Sequence, residues 1–320
     1  MPLDPQARAV LDQMAAAGGP PLNTLSAAQA REVMIALATM GGDPEPVGRV
    51  EDREATGPNG AIPVRIYTPT GGGPFPVLVY FHGGGWVLGS IETHDTVCRS
   101  LANAADCVVV SADYRLAPEH KFPAAADDCY AATHWVTANA ASFNADPERI
   151  AVGGDSAGGN LAAVVALMAR DRGEPALAYQ LLIYPATDYL PDTPSYRENA
   201  EGYLLTRDDM VWFWNHYLRD EADGKNPYAS PLRAASLRGL PPALVITAEF
   251  DPLRDEGEMY AARLREAGVA ADVIRYDGMI HGFVSMAAVL ERGRDAVQRA
   301  AAELRSRFAG RHGSSELAPD

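Results

Sequence analysis

What this chain of 320 residues lacks narrows its chemistry before any motif is considered. It has three cysteines, Cys98, Cys107 and Cys129, an odd number without CxxC spacing. That argues against a disulfide framework or a zinc site and reads as small buried apolar residues. There is no HExxH, no Walker loop, no Rossmann glycine fingerprint and no His or Cys cluster at metal-ligand spacing. Neither a metal nor another cofactor is therefore expected. Positive charge is scarce: 27 Lys and Arg stand against 42 Asp and Glu, a formal net charge of −15. Such a surface repels nucleic-acid phosphates and anionic headgroups and gives anionic substrates no help, so neutral small molecules fit it best. The bland reading, that acidic surfaces keep proteins dispersed, accounts for most of the imbalance. No run reaches the ~18 apolar residues of a membrane span. The opening MPLDPQARAV lacks a basic segment followed by an apolar one. No membrane insertion and a cytoplasmic location are expected.

What is present is core material. Apolar residues make up 47% of the chain and charged residues 22%, the balance of a folded domain rather than a disordered polyelectrolyte. Residues 1–46 read as two short helices parted by Pro20 and Pro21. Ser26 and Gln29 have capping-box spacing, and Val33, Leu37 and Met40 recur at helical spacing. Val64 and Ile66, with their alternating neighbours, read as an antiparallel-type edge strand. Continuous, β-branched runs at 77–81, 107–112, 150–153, 179–184, 243–248 and 272–276 predict strands buried on both faces. Segments 124–140, 157–170, 256–267 and a last one from about residue 293 suit helices. Strand alternating with helix gives an α/β fold with a mostly parallel central sheet flanked by helices. Residues 188–230 break the rhythm with many turn residues and one helix, which starts at Thr206 and carries Met210, Trp212, Phe213, Trp214 and Tyr217. The expected organisation is a helical cap from 1–46 and 188–230, a catalytic domain from 47–187 and 231–312, and a disordered tail at 313–320.

Four motifs carry chemistry. Gly154-Asp155-Ser156-Ala157-Gly158 lies between a predicted strand and a predicted helix, the context in which GxSxG presents a nucleophilic serine on a cramped turn. The helix start adds backbone N–H groups and partial positive charge beside Ser156. An ordinary glycine-rich turn is the competing account. His82-Gly83-Gly84-Gly85-Trp86 follows another strand, and the N–H groups of Gly84, Gly85 and Ala157 are the candidate oxyanion donors. His82 is expected to brace that loop rather than act as a base. Asp251 and His281 each follow a strand's carboxyl end, where open α/β sheets hold their sites. The order Ser156, Asp251, His281 is that of nucleophile, acid and base in α/β hydrolases. Of the seven histidines only His281 falls in the right loop after the acid. Glu249 and Asp255 compete with Asp251, which is preferred as the first exposed position past its strand. Met210, Phe213 and Trp214 are spaced to share one helix face and, with Trp86, are candidate walls of the substrate pocket, unless that face simply packs on the core.

At these motifs the chain resembles the bacterial hormone-sensitive-lipase-like esterases, the family IV carboxylesterases. The carriers are HGGGW at 82–86, DYRLAPEHKFPAA at 113–125, GDSAGGNLA at 154–162, DPLRDEG at 251–257 and HGF at 281–283. The resemblance implies the α/β-hydrolase fold with a helical cap, a serine carboxylesterase that hydrolyses short-acyl esters, and a structural brace in the YRLAPE segment. A homodimer is also compatible with it, because related esterases often pair. An amidase, lactonase or acyltransferase would use the same triad. A ligand receptor on a hydrolase scaffold typically loses a triad member, and here all three are present.

Overall fold

Every residue of FPVLVYF is buried along β3 (Phe75–Phe81), and the same holds for VVVSA in β4 (Val108–Ala112) and YQLLI in β6 (Tyr179–Ile183). Strands that hide both faces need helices on both sides. The computed structural model, which describes residues 2–310, supplies them. The remaining strands are β1 (Arg49–Gly57), β2 (Gly60–Thr68), β5 (Ala145–Asp155), β7 (Ala243–Phe250) and β8 (Ala271–Ile280). They form one eight-stranded sheet in the order β1-β2-β4-β3-β5-β6-β7-β8. β2 pairs antiparallel with both β1 and β4, and the other pairs are parallel.

The helices are α1 (Pro5–Ala17), α2 (Ala27–Ala38), α3 (Asp95–Ala105), α4 (Ala124–Asn139), α5 (Ala157–Arg172), α6 (Pro194–Glu198), α7 (Arg207–Tyr217), α8 (Glu221–Gly224), α9 (Arg254–Glu266) and α10 (Glu291–Ala309). The sheet divides the core in two. Val77, Val79 and Phe81 of β3 join α4, α5, α7 and α9 on one face. Leu78 and Tyr80 join α1, α3 and α10 on the other. The capping boxes at Ser26–Gln29 and Thr206–Asp209 both form.

Three expectations need correction. The strand carrying Val64 and Ile66 is not at the edge, because β2 is paired on both sides and β1 is the outer strand. The sequence hid this, since β1 is largely exposed and polar, as an edge strand tends to be. The apolar face of α2 is not the one that Val33 suggests. Val33 is 40% exposed and the buried residue is Ala30, while Leu37 does turn inward. Met40 lies beyond α2, in a short 3-10 turn. The tail at 313–320 lies outside the described residues.

Candidate active site

Ser156 is pinned where β5 turns into α5. It holds φ 55° and ψ −118°, a conformation that costs a non-glycine residue about 1–3 kcal/mol. The surroundings impose it. Its N–H donates to the Ile183 carbonyl at 2.8 Å and its carbonyl accepts from Asn160 at 3.0 Å. The flanking glycines allow no side chain: a Cβ on Gly154 or on Gly158 would overlap the Phe81 carbonyl oxygen. The hydroxyl is thereby thrust out at the carboxyl end of the sheet.

His281 and Asp251 reach it through strand register. Phe250 of β7 pairs with Ile280 of β8 after a shift in register, so the next residue on each strand end is Asp251 and His281. The Ser156 hydroxyl lies 2.9 Å from His281 Nε2, and His281 Nδ1 lies 2.7 Å from Asp251 Oδ2. The other Asp251 oxygen accepts the Leu253 N–H at 2.8 Å, and the Tyr184 ring lies against the imidazole, with centroids 4.6 Å apart. Asp251 is not exposed, as expected from its place past the strand, but fully buried. Loop residues from 188–230 cover it, and Asn199 donates to its backbone carbonyl at 3.2 Å. The rival acids are engaged elsewhere: Glu249 accepts the Gly278 N–H, and Asp255 accepts the Ser195 N–H.

The glycines of HGGGW divide their labour. The Gly83 N–H donates to Asp155 Oδ1 at 3.0 Å. Gly84, Gly85 and Ala157 line the cavity above Ser156, and among the described residues no bond engages their N–H groups. Gly84 and Gly85 sit at φ 114° and 60°, and Trp86 follows at 60°, giving the loop a run of positive φ that the two glycines adopt without strain. Its back is braced. Tyr114 stacks on His82 with centroids 4.3 Å apart and donates its hydroxyl to the His82 carbonyl at 2.7 Å. Burial, with the nearby His94, pushes the His82 imidazole down to about 3. His82 Nδ1 bonds the Gly83 carbonyl at 2.8 Å. Helix α2 joins this brace: its Arg31 donates to the carbonyls of Val87 and Ala117 and pairs with Glu119.

The cavity over Ser156 holds about 140 Å³ and its walls are mainly apolar. Trp86, Met210 and Phe213 line it as expected. Trp214 does not. It is fully buried behind Trp86, whose ring centroid is 4.3 Å away, and so belongs to the packing beneath the wall. Leu22, Met34, Leu37, Leu204 and Met286 also line the cavity, and no motif around them marks them as wall residues. Among the described residues no group of three or more His, Cys, Asp or Glu side chains is arranged to hold a metal ion.

Known proteins resemble this chain over most of its length. A family model described as the alpha/beta hydrolase fold matches residues 78–285. This chain is an α/β hydrolase of the hormone-sensitive-lipase-like family. The hydrolase is 46% identical over 291 residues to the carboxylesterase NlhH of Mycobacterium tuberculosis, covering 88% of this chain and 91% of that protein. It is 51% identical over 243 residues to the carboxylic ester hydrolase LipN of the same species, which covers 74% of this chain but 65% of LipN. Among solved structures, a hyperthermophilic esterase from the archaeon Pyrobaculum calidifontis superposes with a TM-score of 0.91 at 51% identity, covering 96% of this chain and 99% of that one. No helix among the described residues is long and apolar enough to cross a membrane.

Proposed function

We propose that this carboxylesterase works through an acyl-enzyme on Ser156, with His281 as general base and Asp251 as its orienting acid. One observation carries the reading: the unbroken relay from hydroxyl to imidazole to buried carboxylate, at 2.9 and 2.7 Å. His281 takes the Ser156 proton as the oxygen adds to the ester carbonyl. Asp251 steadies the imidazolium so formed. The N–H groups of Gly84, Gly85 and Ala157 receive the oxyanion. His281 then returns the proton to the departing alcohol, and water repeats the sequence on the acyl-enzyme.

The substrate is a small neutral ester with a short acyl group. The cavity's size and apolar walls support this, as does the acidic surface. The cap made of 1–46 and 188–230 is part of the same proposal. Its support is that Met34 and Leu37 of α2, and Met210 and Phe213 of α7, roof the cavity. Replacing Ser156 by Ala is expected to lower turnover of p-nitrophenyl butyrate by about 10⁶-fold with the fold retained. Residual activity near that of the wild type would remove Ser156 from the chemistry. A series of p-nitrophenyl esters from acetyl to palmitoyl, with the matching anilides, tests the acyl and leaving-group choice; a preference for the palmitoyl ester or the anilide would reject it.

A further inference from the structure

We propose that Asp155 and His94 are a positioning pair that holds the two halves of the oxyanion hole in register. The idea rests on the serine-esterase reading above. The hole is assembled from two segments far apart in sequence: Gly84 and Gly85 come from the loop after β3, and Ala157 comes from the start of α5. An oxyanion bound by both is stabilised only if the segments keep a fixed separation, since such donors act within a narrow range of distance.

A single carboxylate spans the gap. Asp155 is the residue before the nucleophile, yet its side chain reaches back to the other segment. Its Oδ1 accepts the Gly83 N–H at 3.0 Å and the Tyr80 hydroxyl at 2.8 Å. His94 Nε2 lies 3.2 Å from Oδ1 and also 3.2 Å from the Gly83 nitrogen, so the imidazole closes a triangle around the base of the loop. The fit leaves no spare room: a Cβ on Gly83 would overlap the Asp155 carboxylate. Asp155 is 4% exposed, and Tyr80 and His94 are not exposed at all. Burial alone would push the Asp155 carboxyl up, but the His94 imidazole and the Tyr80 hydroxyl bring it below its usual range.

The orientation of His94 is fixed from behind. Thr93 Oγ1 lies 2.9 Å from His94 Nδ1, accepts the Ser90 N–H and donates to the Ser90 carbonyl. That contact holds the ring by Nδ1, which leaves Nε2 facing Asp155 and Gly83. Four side chains therefore serve one peptide group, that of Gly83, which takes no part in binding the oxyanion itself. A network of this cost in buried polar atoms is explained by what lies one residue further along the loop.

The test separates positioning from mere structural support. In H94A, kcat for p-nitrophenyl butyrate falls by about 10²-fold, the effect of misplacing a reacting centre by an ångström, and KM stays put. Affinity for a straight-chain trifluoromethyl ketone, which becomes tetrahedral on Ser156, falls with kcat, while affinity for the matching secondary alcohol does not change. H94Q, which restores a polar group near Nε2, recovers part of both losses. D155N keeps an oxygen for Gly83 and Tyr80 but loses the charge facing His94, and its ketone-to-alcohol affinity ratio falls about 10-fold. Should H94A not fold, D155N decides. A wild-type ratio in a folded variant, or both ligands weakening together as Tm drops, overturns the proposal. If Ser156 were not the nucleophile, the wild-type protein itself would hold ketone and alcohol equally, a separate result.

Discussion

Gly158 and Val33 mark opposite extremes of the molecule. At Gly158, in the first turn of α5, a single added carbon would overlap the Phe81 carbonyl oxygen. On α2, the whole side chain of Val33 stands 40% exposed, and Ile35 beside it is 57% exposed. The first belongs to the turn that presents Ser156, where main chain is packed too closely to admit a side chain. The second belongs to a helix whose Met34 and Leu37 line the cavity and whose other side chains reach solvent. The proposed chemistry rests on backbone placement and the proposed selectivity on side-chain bulk, so the two respond differently to substitution.

The sharpest contrast lies in rate. Asp251→Asn removes the acceptor that fixes the His281 tautomer, and kcat is expected to fall about 10⁴-fold with KM retained; steady-state kinetics on p-nitrophenyl butyrate read it. A drop below tenfold would mean that Asp251 does not orient the base. Next is Trp214→Ala, which empties the space behind Trp86 and is expected to cost about 3–5 kcal/mol of stability, seen in denaturant melts. Its preference among p-nitrophenyl esters should stay that of the wild type; a changed preference would put Trp214 back in the pocket wall. Gly158→Ala adds one carbon and should lower stability by about 1–3 kcal/mol, and kcat with it, as the elbow shifts. If it is silent, the main-chain half is less cramped than described. Phe213→Ala is the cap-side counterpart. It should leave butyrate turnover largely intact while raising the octanoate-to-butyrate ratio about 10-fold, the value of an apolar contact in a pocket.

The smallest effect tests the seam between the two regions. Glu256 of α9 is fully buried and accepts the N–H groups of Thr187 and Asp188, where the 188–230 segment begins. Burial pushes its carboxyl well up, against the pull of those two backbone donors. A raised folded-state value means that the folded protein holds the proton more tightly than the unfolded chain. The stabilisation is then complete below the ordinary glutamate range, near ~4.3, and is lost as pH rises toward the folded value. Glu256→Gln keeps the oxygen that accepts and removes the charge, so its Tm should decline less than that of the wild type as pH rises. Parallel Tm-versus-pH curves would show that this carboxyl titrates alike in both states.

Strands and motifs were legible because they depend on local pattern. Runs such as 77–81 and 179–184 are apolar throughout, and only a strand covered on both faces reads that way. The order of Ser156, Asp251 and His281 was likewise visible along the chain. What stayed hidden depends on contacts across the chain. The burial of Asp251 follows from how the 188–230 segment folds over it, and the nearness of Asp251 to His281 follows from the Phe250–Ile280 pairing. Trp214 looked like a wall residue because it shares a face with Met210 and Phe213, but a face wide enough for all three turns its far edge into the core. His94 gave no local cue, since its partners lie on β3, the loop after it and the end of β5.

Helix α5 offers a last consequence. From Ala157 to Ala169 every residue is buried, so the serine hangs on the most sheltered rod in the molecule. Backbone amides there exchange with deuterium only when the whole chain opens. On gentle heating the partly exposed α2 over the cavity is expected to loosen before α5. The enzyme should become less discriminating about its acyl chains while it still turns them over, and fall silent only when the protein as a whole comes apart.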